Sequence, residues 1–251
     1  MAKPQIVAEA ANIAYRLAAI LSARPYHECP ICGRVGQFLP EARPFGDRPL
    51  AKCPRCGSLE RHRLQKLTLD RISDGSWATK RGLQFAPDPV SPVLRRLLKE
   101  LVTADLEPHG DSIRLDMRAL DLPDACFDVV FASHVLEHID DDIRAMHEVK
   151  RILKPGGIAI LPVPIFVDKT IEYGVPALLE DEHMRAPGLD YFDRYRSVFD
   201  RVDVYTSKDF PEKYQLWDHD DRTLYPRPEV PLRTPMAGPR HLDAVPVCYK
   251  A

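Results

Sequence analysis

Residues 121–165, DLPDACFDVVFASHVLEHIDDDIRAMHEVKRILKPGGIAILPVPI, decide the fold. Phe127 to Ala132 is a short, almost wholly apolar run rich in β-branched residues, the pattern of a strand buried on both faces. His134 to Ile139 then reads as a turn or short helix, and Asp140, Asp141 and Asp142 supply the acidic start of a longer helix. Ile143, Met146, Val149, Ile152 and Leu153 recur at helical spacing, which leaves Arg144, Glu148, Lys150 and Arg151 for solvent. Pro155-Gly156-Gly157 is expected to end that helix, and Ile158 to Val163 to form another buried strand. Strand, crossover helix and strand in this order make a right-handed unit with parallel strands.

The same residues carry a family resemblance. Leu122-Pro123, Phe127-Asp128 and the run SHVLEHI at 133–139, followed by a helix ending RILKPGG, resemble the middle of a class I S-adenosylmethionine-dependent methyltransferase of the type 11 branch. The resemblance implies an α/β, Rossmann-like sheet, mostly parallel with helices on both faces. It also implies S-adenosylmethionine as cofactor.

Composition sets the outer bounds. A chain of 251 residues holds one full α/β domain and a small appendage. A formal net charge of −2 argues against a globally electrostatic nucleic-acid binder, though not against a local basic patch. The 24 prolines crowd the later part of the chain and predict long irregular loops there. Residues 5–21 are apolar but interrupted by Glu9 and Arg16, too short and too charged for a membrane span and a poor signal-peptide core. An amphipathic helix within residues 1–23 and a cytoplasmic protein are expected.

Four of the six cysteines form two C-x2-C pairs, CPICG at 29–33 and CPRCG at 53–57, with 20 residues between Cys32 and Cys53. Each pair suits a tight knuckle with both sulfurs on one side, and two knuckles complete a tetrahedral site. Cys29, Cys32, Cys53 and Cys56 are therefore the expected ligands of a structural Zn2+, with rubredoxin-like iron as a minor alternative. Four thiolates leave no open position, so a stapling role for the small lobe is favoured over direct catalysis. Cys126 and Cys248 sit in apolar contexts and read as inert core residues. Between Arg24 and Lys66 nine Lys/Arg face four Asp/Glu, an excess of five positive charges that suits phosphate, carboxylate or RNA, or pairing with acids of the main domain. A helix is expected from Arg61 to about Ile72. The division is thus a helix at 1–23, a zinc-ribbon lobe and linking helix at 24–79, and a methyltransferase domain at 80–251.

Within that domain Gly82–Ala86, Glu100–Ala104 and Ser112–Leu115 are the first three expected strands, with a helix at Ser91–Leu98 after the first. The family's first strand leads into a glycine-rich loop; here the loop is Phe85-Ala86-Pro87-Asp88-Pro89, without glycine. It resembles the APE-like loop of variant methyltransferases that carry an N-terminal zinc-knuckle pair. By resemblance Asp105 accepts the ribose hydroxyls, Asp116 the adenine amino group, and Met117 lines the ring. Phe85, Ala86, Pro87, Leu106, Ser133 and His134 complete the implied cofactor set.

His134, Glu137 and His138 fall on one face if helical, either as a metal or acid–base constellation that His183 could join, or as a brace for the helix. The bracing role is favoured. The segment from His183 to Tyr191, H-x-R-x-x-G-x-D-Y, resembles the substrate side of the same variants, which makes His183, Arg185 and Tyr191 candidates for the acceptor and His134 and His183 candidate bases. Beyond it a helix at Tyr191–Val198, a strand at Val202–Thr206, a Pro-rich loop at 208–242 and an antiparallel strand at Ala244–Lys250 are expected. The resemblance implies a small-molecule or glycan-type acceptor. A ribosomal RNA methyltransferase reaching RNA through the basic lobe is the first alternative, and a non-catalytic zinc-binding interaction protein is the second. Nothing in the sequence sets an oligomeric state.

Overall fold

The computed structural model describes residues 26–42, 48–227 and 230–251; the expected N-terminal helix lies outside them. Strands β1 (His27–Glu28) and β2 (Val35–Gly36) form one small hairpin, and β3 (Leu39–Glu41) and β4 (Arg48–Lys52) a second. Helix α1 (Glu60–Ile72) leads from this lobe to the main sheet. There β5 (Arg81–Phe85), α2 (Ser91–Leu97), β6 (Glu100–Asp105) and β7 (Ile113–Arg114) are followed by β8 (Phe127–Ala132), α3 (Asp142–Ile152) and β9 (Leu153–Ile160). A hairpin of β10 (Ile171–Ala177) and β11 (His183–Ala186), helix α4 (Tyr191–Val198), β12 (Arg201–Thr206) and β13 (Ala244–Tyr249) complete the described elements.

The seven-stranded sheet runs β12-β13-β9-β8-β5-β6-β7, with β13 antiparallel to both neighbours and every other pair parallel. Strand alternation divides its two faces. Val130 and Ala132 of β8 join Ala145, Met146 and Val149 of α3 and Tyr191 and Tyr195 of α4 in one core. Val129 and Phe131 face the other way, onto Leu64 of α1 and Val93 and Leu94 of α2. A strand flanked on both faces by apolar layers has no polar side, which is why β8 is apolar throughout except at Asp128. Cys248 is buried in the first core, where desolvation pushes its thiol well above the ordinary range, and Cys126 packs against the same core.

Helix α3 starts as expected. The Asp141 carboxylate accepts from the Arg144 N–H at 3.0 Å and caps it. Its end differs from the sequence expectation. The helix stops at Ile152, and Pro155-Gly156-Gly157 lies within β9 as an irregularity, where partners jump from Phe127↔Leu153 to Val129↔Ile158. Pro155 disfavours helical backbone at Lys154, so the break falls upstream of the proline. Gly156 then takes φ +73°, and a Cβ on Gly157 would stand 2.8 Å from the Lys154 carbonyl oxygen. The segment after β9 holds the β10–β11 hairpin. Among the described residues no helix is long and apolar enough to cross a membrane.

Candidate functional site

The four knuckle cysteines come together. Gly33 N–H bonds the Cys29 carbonyl and Gly57 N–H the Cys53 carbonyl, both at 2.9 Å, with each glycine at positive φ (+70° and +72°). The sulfurs of Cys29 and Cys56 lie 3.6 Å apart and those of Cys32 and Cys53 3.7 Å, with all four ligand atoms within 4.8 Å of one another. A tetrahedral ion with metal–sulfur bonds of about 2.3 Å requires sulfur separations of about 3.8 Å, so the donor set fits such an ion. Ser58 Oγ sits 3.3 Å from Cys29 Sγ and 3.2 Å from Cys56 Sγ, within reach to support the thiolates.

Two arginines of the basic lobe are used internally. Arg63, fully buried under the Phe38 ring, donates to the carbonyls of Ala51, Ser58, Tyr214 and Gln215. It ties the knuckles to the Pro-rich segment some 150 residues later. Arg48 pairs with Glu60 at 2.6 Å and Asp218 at 3.3 Å. His62, driven down to about 2 by burial, stays neutral and accepts the Leu59 N–H on Nδ1 at 3.0 Å, bonding the start of α1.

A first cavity of about 400 Å³ opens at the carboxyl ends of β5, β6 and β8. Seven of the nine expected cofactor residues line it: Phe85, Ala86, Asp105, Leu106, Asp116, Met117 and His134. Pro87 lines a neighbouring groove that shares Asp105, and Ser133 is buried, accepting from Gln65 of α1 at 2.8 Å. Leu115, Arg118, Val135, His138 and Ile139 line the first cavity without having been expected to. The walls are largely apolar and two acids sit among them, the chemistry that a nucleoside with free hydroxyl and amino donors requires. Asp116 is held by Arg118 through both carboxylate oxygens, which keeps its carboxyl below the usual range.

The glycine-free loop is braced by other means. Ala86 adopts φ +47°, a left-handed conformation that glycine would take without steric cost. Pro87 and Pro89 carry no N–H, and the remaining amides are engaged: Ala86 with Ala104 O, Asp88 with Ser91 Oγ, and Val90 with Asp88 Oδ1. The loop therefore offers a ligand shape but no free amide. Asp88 is buried here, and desolvation pushes its carboxyl up to about 6.

A second cavity of about 490 Å³ lies between the cysteine lobe, the turn after β8 and the Pro-rich segment. His134 and His138 line both cavities, so the two meet at that turn. His134 takes φ +56°, and its N–H bonds the Pro162 carbonyl at 2.8 Å, which fixes the turn across the sheet end. His183 lines the second cavity, stacked on Phe166 and driven down to about 4 by burial. Arg61, Asp218, Arg222 and Asp243 also face it; burial pushes Asp243 up to about 7, in the range of a working base. Arg61 carried a signal in the sequence as part of the basic run. Asp218, Arg222 and Asp243 carried none, because they come from an irregular loop without periodicity.

Arg185 and Tyr191, named from the sequence as acceptor candidates, line neither cavity. Arg185, 2% exposed, donates to the carbonyls of Leu136, Ile139 and Asp140 and to Glu172. The Tyr191 hydroxyl, buried, donates to Asp142 Oδ2 at 2.5 Å. Arg185 braces the turn that carries the histidines and Tyr191 the start of α3 beyond it, tasks their residue types perform as readily as ligand binding.

Comparison with known proteins agrees with this architecture. Residues 80–161 match the family model described as a methyltransferase domain. A probable S-adenosylmethionine-dependent methyltransferase of Mycolicibacterium smegmatis is 31% identical over 90 residues, 33% of this chain and 35% of that protein. An uncharacterised 37.1 kDa protein from a Streptomyces fradiae transposon is 34% identical over 58 residues, 23% of this chain and 17% of that one. The chain thus matches only about a third or less of those curated relatives' length. Solved S-adenosylmethionine-dependent methyltransferases from Mesorhizobium loti (14% identical, covering 74% of this chain and 98% of that one) and Archaeoglobus fulgidus (17%, 75% and 94%) superpose with a TM-score of 0.50 each and share the fold. Residues 80–161 of this chain thus match the methyltransferase-domain family and share the fold of S-adenosylmethionine-dependent methyltransferases, and an N-terminal four-cysteine lobe precedes them.

Proposed function

We propose that the chain is a transferase that methylates an O, N or S nucleophile of a small-molecule or glycan-type acceptor, with Zn2+ holding the cysteine lobe. The observation that carries this reading is the meeting of two cavities at His134 and His138. S-adenosylmethionine supplies an electrophilic methyl group on a sulfonium sulfur. Asp105 and Asp116 would hold its ribose and adenine donors, while Phe85, Leu106 and Met117 exclude water around them. The acceptor would occupy the second cavity, where its nucleophile faces the shared wall. His134, His183 or Asp243, all of which line that cavity, would take the proton that the acceptor loses. The protein's main contribution is alignment of the two reactants.

A small acceptor is favoured over RNA because Arg48 and Arg63 of the basic lobe are buried in internal contacts. The cytoplasmic expectation stands with this reading. The knuckles serve as a wall-forming staple rather than as the reacting centre, since all four donors are sulfur.

Calorimetric titration with S-adenosylhomocysteine tests the cofactor half. Saturable binding is expected, weakened about tenfold or more in Asp105→Ala, in line with about 1.5–3 kcal/mol for hydrogen bonds to a charged group. A folded parent protein that takes up no S-adenosylhomocysteine would overturn the reading and leave the non-catalytic zinc protein as the better description.

A further inference from the structure

Glu137 is a fully buried acid at the junction of the cavities. It is 0% exposed, and neither carboxylate oxygen has a hydrogen-bond partner among the described residues. A carboxylate shut away from water costs several kcal/mol unless a cation or donors compensate it. What surrounds it is imidazole. The ligand atoms of Glu137, His138 and His183 all lie within 4.8 Å of one another, and His134 Nδ1 is 3.4 Å from Glu137 Oε1. The rings of His138 and His183 meet edge to face at 4.6 Å, and the buried His183 Nδ1 also lacks a hydrogen-bond partner.

The backbone holding this set is locked from behind. Arg185 Nη1 donates to Leu136 O at 2.9 Å and Ile139 O at 2.6 Å, and its Nη2 to Asp140 O at 2.8 Å, gripping the turn on both sides of Glu137-His138. Arg185 lies on the same strand as His183, so one strand fixes the third ligand and orients the other two. Outer partners of this kind position metal ligands. A turn that only braced a helix has no use for a fully buried carboxylate set among three imidazoles without a hydrogen bond.

The geometry points to a binding site for a divalent first-row transition cation formed by Glu137, His138 and His183 at the junction of the two cavities. Two nitrogens and one carboxylate favour such an ion over Mg2+ or Ca2+, which take oxygen donors. Three protein ligands leave at least one position open, and Glu137, His138 and His183 all line the second cavity. An acceptor hydroxyl or amine placed there would be oriented toward the first cavity and would release its proton more readily. Only this role for the ion rests on the proposed transferase reading; the site itself does not.

The test is a Co2+ titration of the full chain with its cysteine site already filled by Zn2+ and no cofactor present, followed by heat and by visible absorption. The expected result is one further equivalent with the weak bands of nitrogen–oxygen coordination and no sulfur charge-transfer band. Its Kd should rise at least about tenfold in Glu137→Gln and in His138→Ala. His138 is exposed, so the second variant keeps the fold even if the buried substitution does not. No second equivalent, or one that the folded His138→Ala variant binds as tightly, would overturn the site. A protein that binds S-adenosylhomocysteine but no Co2+ would lose this inference alone, whereas Co2+ uptake without S-adenosylhomocysteine binding would leave it standing and remove the transferase reading.

Discussion

The two cavities share His134 and His138 yet are built in different ways. The first is drawn almost wholly from residues 85–139, the ends of successive parallel strands, where a twisted open sheet always leaves a crevice. The second takes Glu41 and Arg61 from the cysteine lobe, His183 from the β10–β11 hairpin, and Asp218 and Asp243 from segments near the end of the chain. One cavity belongs to the fold; the other belongs to this particular assembly of parts. The difference teaches that the cofactor half should survive damage that abolishes the acceptor half.

The largest effect expected of that contrast comes from the cysteine site. Cys56→Ser should cost most of the metal-binding free energy, about 10 kcal/mol for a structural zinc site, and loosen the lobe that walls the second cavity. Methyl transfer should fall below detection while S-adenosylhomocysteine affinity changes less than tenfold; a parallel collapse of both, measured by calorimetry, would break the distinction between the cavities. The shared wall is the next place to press. His134→Asn keeps a residue tolerant of φ +56° and is expected to lower kcat by about 10²–10⁴ with a small change in cofactor affinity. Unchanged turnover would remove His134 as a base and direct attention to His183 or Asp243.

Asp88 gives a smaller, pH-dependent effect confined to the cofactor side. Its carboxyl is raised from 3.8 to about 6, so the folded state holds the proton more tightly than the unfolded one. The stabilisation is complete below the unfolded value and is lost as pH rises through about 6. Asp88→Asn should therefore match the parent at low pH and exceed it above pH 6 by up to about 3 kcal/mol, seen as a higher Tm. Equal Tm values at pH 8 would show that the charged form is accommodated. The smallest effect is expected of Ala86→Gly, which relieves a left-handed alanine but adds chain entropy to the unfolded state. A net gain of no more than about 1 kcal/mol is expected, with S-adenosylhomocysteine affinity held. A large loss of affinity would mean that the alanine methyl itself packs on the cofactor.

Most of the sheet was legible in the chain because its signals are local. Phe127–Ala132, Glu100–Asp105 and Ala244–Tyr249 announce buried strands by composition, and Asp140–Asp142 announces a helix start. The same holds for the cysteines, whose spacing encodes two knuckles before any fold is known, whereas Asp105 and Asp116 were singled out by the family resemblance, and the register brings their strand ends side by side. The stop of α3 at Ile152 was less legible, since Pro155 acts on the backbone before it and a glycine pair suits a bulge as well as a cap.

Tertiary structure alone decided what long, charged and aromatic side chains do. Arg63 and Arg185 look like ligands for anions in the sequence, but each can satisfy its donors on carbonyls from distant turns, and burial is what makes that choice. Glu137 and His183 are 46 positions apart, and no periodicity relates them; only the β10–β11 hairpin, folding back on the turn after β8, brings them together. Apolar pattern and knuckle spacing act over a few residues and were therefore written in the chain. The second cavity depends on contacts across more than a hundred residues and its buried carboxylate on a contact across 46, so both form only once distant segments have packed.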